Sequence, residues 1–418
     1  MKETIIKDGD TYADKYLSPE FNKYFRGGEY GIMDISGERW KEHRKFAVLQ
    51  LREIAIGKPV METKIIEEAD EIARKLKIAA STGYDIALQP EIDIAVGSVI
   101  NQFLFGYRFD EKHLFEFNKI RTLVNNFMEE VGKPLGVLAF TCHGFPEFMI
   151  KWMVSGIEDQ KKEIYSFLRV QIENARMKLD CDFDENDDFV EAYLKKQKQR
   201  QEKNDYDSFC NEQLENVCFD IWAAGFDTLT NTIGFFFAYL INYPDCQKKL
   251  HDEMDTVFGR NEHRRITMSD KNSLVYFNAF TNETLRMANI LPLNLPHALT
   301  KDIELKGYNL KKGTGVIHQI ANVMTDESIF PESNSFKPER FIDENGKLKK
   351  IDELCPFSFG KRQCLGEGLA RMELFLIAAN LVKTFEFLPA STGFPSLFKD
   401  FSLVSHVVPF NCRVILRE

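Results

Sequence analysis

The stretch that most constrains this chain is Phe357–Gly366, which reads Phe-Ser-Phe-Gly-Lys-Arg-Gln-Cys-Leu-Gly. It places one cysteine, Cys364, in a loop punctuated by Gly360 and Gly366, with Arg362 two residues before it. A helical run follows at once over Glu367 to Thr384, where Leu369, Met372, Leu376 and Ala379 recur at helical spacing. A thiolate at the start of that helix would meet unpaired backbone N–H groups and the positive end of the helix dipole, and both stabilise an anion. Such a sulfur stays ready to bind a metal. The glycines let backbone approach a flat group closely, and Phe357 can cover the sulfur.

A cysteine on its own is more often a small buried hydrophobe. The five fixed positions Phe357, Gly360, Arg362, Cys364 and Gly366 change that, because ordinary composition produces the pattern on the order of once in ten thousand such chains. The ten residues closely resemble the haem-binding loop of the cytochrome P450 family, the haem-thiolate monooxygenases, in which a Cys thiolate is the iron ligand.

The rest of the chain sets bounds. At 418 residues it exceeds what a simple core usually holds, which alone would suggest two domains. No Pro/Gly/Ser-rich linker divides it and no repeat is visible. Hydrophobic residues make up 44% and there are 36 Phe, ample for a core with an apolar cavity. The net charge of −10 gives no footing for nucleic acid. The eight cysteines (142, 181, 210, 218, 246, 355, 364 and 412) include no CxxC pair, which suits a reducing, cytosol-facing compartment. The best apolar run, Ile233–Ile241, is about half a bilayer span, and residues 1–7 do not read as a signal peptide.

Taken in order, Glu3–Lys7 reads as a short helix and residues 60–118 as helical. Residues 119–160 read as two helices with a mobile connection, the makings of a pocket lid. Asp180–Asn204 is dense in charge and expected at the surface. Trp40 and Arg44 lie four apart on one helical face; by themselves they could be a surface aromatic and its cation. Asn211 to Ile241 follows i, i+3, i+4, i+7 spacing and predicts a buried helix of about 45 Å. Its middle carries the small pair Ala224-Gly225 and then Asp227-Thr228. A mid-helix Gly costs about 1 kcal/mol and needs a reason. Thr228 can bond back to the preceding turn and open a bulge, and an acid beside an alcohol makes a proton relay. Tyr243–Gly259 and Phe277–Met287 read as helices, the second holding Glu283 and Arg286 three apart. Phe336-Lys-Pro-Glu-Arg340-Phe follows. Leu291–Thr300, Gly313–Ile320, Ser402–His406 and Asn411–Leu416 alternate as short strands.

These signals fall in the order found in the cytochrome P450 family, and the resemblance spans essentially the whole chain, nearest to the animal microsomal, xenobiotic-metabolising branch. Two positions depart from it: Leu229, where a second Thr or Ser is common, and Lys311, where Pro is common. The resemblance implies a mainly α, triangular haem domain with small β-sheets over residues 1–418, so the two-domain expectation yields. It implies haem b (iron protoporphyrin IX) with Cys364 as axial ligand and metal-binding residue. Trp40, Arg44 and His297 would face the propionates, and Arg362, Phe357, Ala224, Gly225 and Gly366 would complete the cofactor site. Thr228 and Asp227 would be catalytic, delivering protons to dioxygen, and Glu283, Arg286 and Arg340 would form a buried charge network under the haem loop.

The implied partners are a small apolar organic substrate, O2 and NADPH-cytochrome P450 reductase, with cytochrome b5 as a second electron donor and no nucleic acid. The implied place is the cytosolic face of the endoplasmic reticulum membrane. Phe25, residues 127–148, Phe219, Trp222, Ala223, Ile290, Leu293, Leu295 and Leu403 are the expected pocket lining. Relatives carry a membrane anchor, a hinge and first strands that this sequence does not show, so an open edge is expected on 291–298 or 313–320, with association as its consequence. Two other readings stand beside the monooxygenase: a haem-thiolate isomerase or dehydratase, against which the Asp227-Thr228 pair argues, and a truncated non-catalytic relative.

Overall fold

A computed structural model describes residues 1–179, 188–259, 264–401 and 404–417. Helices dominate, and four small antiparallel sheets lie among them. The helices begin and end where local chemistry dictates. Ser18 caps Pro19–Arg26 by accepting from Phe21 N at 3.1 Å, Pro19 sits at the first position, and Gly27 ends the helix at φ 80°. Gly83 and Gly106 close Pro59–Thr82 and Gln89–Phe105 in the same left-handed conformation.

The axis of the fold is Asn211–Asn242, a single unbroken helix. Gly225 and Gly234 interrupt its side-chain surface at two close approaches. A Cβ on Gly225 would stand 3.0 Å from Ile100 Cδ1, and one on Gly234 would stand 2.5 Å from Gln89 Oε1 and 2.7 Å from Val407 Cγ1. The mid-helix Gly225 is therefore a packing residue, letting helix Gln89–Phe105 lie close. Around this axis one hydrophobic core runs from Leu17 to Val414. Phe25, Phe127 and Phe219 meet within it at ring-centroid distances of 4.6–5.4 Å. These rings, with Trp222 and Ala223, are packed core and do not form an open pocket lining. Leu293 is half exposed, and Leu403 lies outside the described residues.

Several segments differ from the reading of the sequence. Residues 1–7 form a π-helical turn, Lys2–Ile6. The 119–160 stretch holds two further short helices, Pro134–Thr141 and Glu147–Met153, where a mobile connection was expected. In Asp180–Asn204, residues 180–187 are outside the described set. The remainder is mostly helix Phe189–Gln201, which buries Phe189, Val190 and Tyr193 against the core, so that charged stretch is amphipathic. The strands of 291–300 and 313–320 shrink to His297–Ala298 and Gly315–Val316. Asp14–Lys15 pairs with His297–Ala298 on one side, Lys15 opposite His297, and Gly315–Val316 on the other, so among the described residues the edge expected on 291–298 or 313–320 falls on Gly315–Val316. At the C-terminal end Asn411–Leu416 pairs with Ile86–Ala87 and Phe385–Pro389, and Ser405–Val407 pairs with Lys399–Phe401. No helix among the described residues is long and apolar enough to cross a membrane.

Candidate cofactor site

Cys364 N donates to Phe357 O at 3.0 Å, which closes the cysteine loop. Gly366 then caps helix Glu367–Thr384. The two glycines of the loop have unequal tasks. Gly360 has φ +74°, and a Cβ there would lie 2.1 Å from Ile5 O, so the close neighbour that demands glycine is the N-terminal turn. Gly366 has φ −87°, and its Cβ would sit at ordinary contact distance, 4.0 Å, from Cys364 Sγ. Phe357 is half-buried, with the Arg371 guanidinium 4.8 Å from its ring centre. Cys364 opens onto a half-open cavity of about 200 Å³, lined by Arg44, Val48, Leu51, Arg52, Ile56 and Leu365 among others. Its enclosure by protein pushes the thiol pKa up; the backbone N–H of Gly366 and the charge of Arg44 pull it down but do not prevail. The helix end helps the anion as expected, and a bound cation has to supply the rest.

Cations gather on one side of this loop. Arg44 donates to Gln363 O, and Arg362 donates from Nε to Ala13 O at 2.6 Å and from Nη2 to Ile35 O at 2.7 Å. The Arg362 guanidinium lies 3.6 Å from the centre of the Trp40 ring. Lys15 joins them, its Nζ 3.3 Å from Leu295 O. Burial and then the neighbouring Arg362 bring Lys15 down to about 7, and burial and then Arg44 bring Arg362 down to about 9. Two polar atoms here, Trp40 Nε1 and Arg362 Nη1, are buried with no partner. Partly buried cations that depress one another, together with idle donors, call for an anionic group bearing several acceptors. A porphyrin's paired propionates have that chemistry, so the residues fit the haem that the sequence implies. His297 stands apart from this set. Its Nδ1 lies 2.6 Å from Tyr12 O and its Nε2 3.3 Å from Asn294 Nδ2, and burial takes it down to about 3. Both ring nitrogens are already engaged, so His297 braces the sheet instead of presenting a free donor.

On the long helix, Ala224 is exposed and Thr228 partly open in the middle of an otherwise buried stretch. Thr228 Oγ1 donates to Ala224 O at 2.7 Å, the back-bond expected, but the helix stays regular and no bulge opens. Asp227 points elsewhere. Both of its carboxylate oxygens lie 3.2 Å from His406 Nε2, and Asn231 Nδ2 donates to Oδ1 at 3.1 Å. The acid and the alcohol are neighbours in sequence but occupy different faces.

Behind the loop, Glu283 is fully buried and accepts from Arg286 Nε and Nη2 at 2.7 and 2.8 Å, Arg340 Nε at 3.0 Å and Lys337 N at 2.8 Å. Arg286 continues to Met324 O at 2.8 Å. A second buried network went unread in the sequence: Arg26 pairs with Asp34 and Asp220, and Asp220 Oδ2 accepts from Ile32 N at 2.7 Å and Met33 N at 3.0 Å. It fastens residues 26–34 to the long helix, and Gly31 at φ +100° lies so close that a Cβ would reach 2.5 Å from Asp220 Oδ2. Lys15 and His406 also escaped notice, since neither belongs to a local motif.

Fold and site together define a haem-thiolate enzyme, and the chain belongs to the cytochrome P450 family, whose description it matches over residues 1–413. It is 33% identical to cytochrome P450 2C7 of Rattus norvegicus, over 96% of this chain and 82% of that protein. Cytochrome P450 2C29 of Mus musculus matches to the same extent. Cytochrome P450 2A9 of Mesocricetus auratus is 30% identical over all of this chain and 81% of its own length. As a member of this family the protein is a monooxygenase, an oxidoreductase that uses haem b with an axial cysteine thiolate.

Proposed function

We propose that this chain is a single haem domain that inserts one oxygen atom of O2 into a small apolar organic substrate, with Cys364 as the axial ligand. What supports it is the cluster of Lys15, Trp40, Arg44 and Arg362 beside the Cys364 loop, with its idle donors, together with the accessible Ala224 and Thr228 midway along the long buried helix. Bound there, the haem iron supplies dioxygen activation, helped by electron donation from the sulfur. The chain's residues do the remaining work. The cation cluster holds the propionates, Phe357 and Arg371 cover the loop, and the Thr228 hydroxyl holds a proton midway along the long helix. Val48, Leu51, Ile56 and Leu365 give the cavity its apolar side and favour apolar molecules. Electrons come from NADPH through cytochrome P450 reductase, with cytochrome b5 as a second donor, at the endoplasmic reticulum membrane. The names of the relatives support a role in xenobiotic metabolism. The test is Cys364→Ser: the red-shifted Soret band of the reduced carbon-monoxide complex disappears, and its survival in haem-loaded variant protein would refute the assignment.

A further inference from the structure

Asp227 is buried, and its carboxylate is turned from the Thr228 face of the long helix toward the last hairpin. His406 Nε2 bridges its two oxygens at 3.2 Å each. The side chain of His406 is 33% exposed against 7% for Asp227, so the imidazole is where this buried acid meets accessible space. The contact is held in register. Asn231, one turn beyond Asp227, donates to the carboxylate while its own Oδ1 accepts from Val407 N at 3.0 Å, next to His406. Ser405 N donates to Ile290 O at 2.8 Å on the other side. Strand Ser405–Val407 is thereby pinned at both ends around one histidine.

We propose that His406 is a positioning and proton-supplying residue for Asp227, so that protons for the reaction enter through the C-terminal hairpin. The inference rests on the monooxygenase reading above, in which each turnover consumes two protons and two electrons. The transfer balances. The imidazolium Nε2–H bond breaks and an O–H bond forms on Asp227, leaving a neutral imidazole beside a neutral acid. That step cancels both charges and with them most of the attraction that parks the carboxyl group. The freed acid can turn toward Thr228 and give its proton to the hydroxyl oxygen as that hydroxyl passes its own proton on to dioxygen, while a solvent hydronium ion restores the His406 imidazolium and leaves as water. One other charged group lies near, Asp93 on helix Gln89–Phe105, which accepts from Arg121 Nη1 at 2.9 Å; in the backbone register of the hairpin His406 pairs with Asp400.

The first test reads the pair without turnover. In the diamagnetic reduced carbon-monoxide complex, histidine Cε1 resonances are titrated by NMR in wild type and Asp227→Asn. The His406 titration midpoint falls by about one pH unit or more once the carboxylate is gone. An unmoved midpoint overturns the proposal. The second test is His406→Gln, which keeps the size and a hydrogen-bonding amide but cannot carry a proton. Substrate-induced spectral shifts persist, product formation drops about tenfold, peroxide rises in its place, and the rate loses its dependence on pH near neutrality. Wild-type coupling and an unchanged pH profile in His406→Gln also overturn it. Failure of the underlying reading looks different: the thiolate band would be missing from the wild-type complex while the His406–Asp227 titration link stayed intact.

Discussion

Replacing Glu283 with alanine removes a carboxylate whose side chain is completely buried and leaves Arg286, equally buried, with its Nε unpartnered. Arg286 Nη1 keeps Met324 O, but its charge has lost its counter-ion, and Arg340 and Lys337 N lose an acceptor as well. Stranding one member of a buried ion pair costs about 3–5 kcal/mol. The entropy of unfolding per residue, scaled to a chain of this length, gives about 0.9 kcal/mol per degree, so the loss corresponds to a fall of about 3–6 °C in Tm. That is a large share of the stability of an ordinary domain. Circular dichroism melting would record the fall, and absorbance would record a parallel loss of haem, since Lys337 and the loops around it lean on this carboxylate. The double variant Glu283→Ala/Arg286→Met separates the causes: it recovers part of the melting temperature, because the cost of the single change comes from the stranded guanidinium. Wild-type haem content and Tm in Glu283→Ala would refute the reasoning.

Other perturbations follow from the same geometry. Thr228→Ala binds haem and substrate but converts NADPH oxidation into peroxide release, and undiminished product yield would remove the hydroxyl from the mechanism. Gly360→Ala forces a Cβ to within 2.1 Å of Ile5 O at a positive φ; it detaches the N-terminal turn and lowers haem retention, whereas Gly366→Ala is tolerated, as haem-loading assays on the two will show. Burial, and then the Glu68 charge, hold the Glu373 carboxyl well above its usual range, and burial lifts Glu68 to about 7. Acids whose folded pKa is raised bind more protons in the native state, so their contribution is present below the unfolded value and is lost as pH rises through the folded one. Stability should decline from about pH 4.5 toward 7, and Glu373→Gln should flatten that decline in denaturant titrations; an unchanged slope would exclude the pair.

What could be read from the sequence was what is local. The Cys364 loop and the Glu283/Arg286 spacing carry their geometry within a few residues. Arg340 was placed by chain order and family likeness, and Asn211–Asn242 by an apolar period sustained over eight turns. Lys15 reaches the site through a partner 280 residues away and His406 reaches Asp227 across 179, distances over which no pattern records a contact. The alternation of Gly313–Ile320 was legible, but that only Gly315–Val316 of it would pair was not, because pairing depends on a distant neighbour. Gly225 illustrates the remaining kind of difference: its cost was legible, but its beneficiary, Ile100, was not.

The N-terminal turn that presses on Gly360 also sets an order of assembly. Tyr12 O holds His297, Ala13 O holds Arg362, and Asp10 pairs with Lys361, so residues 10–13 brace segments that are synthesised far later. Their partners emerge between 285 and 351 residues later. Until then this segment has nothing to fold against, and closing so long a loop carries an entropic penalty that only the finished core can offset. Haem capture is therefore a terminal event, and a pause in synthesis anywhere before Arg362 leaves a ribosome-bound chain with an unfinished seat.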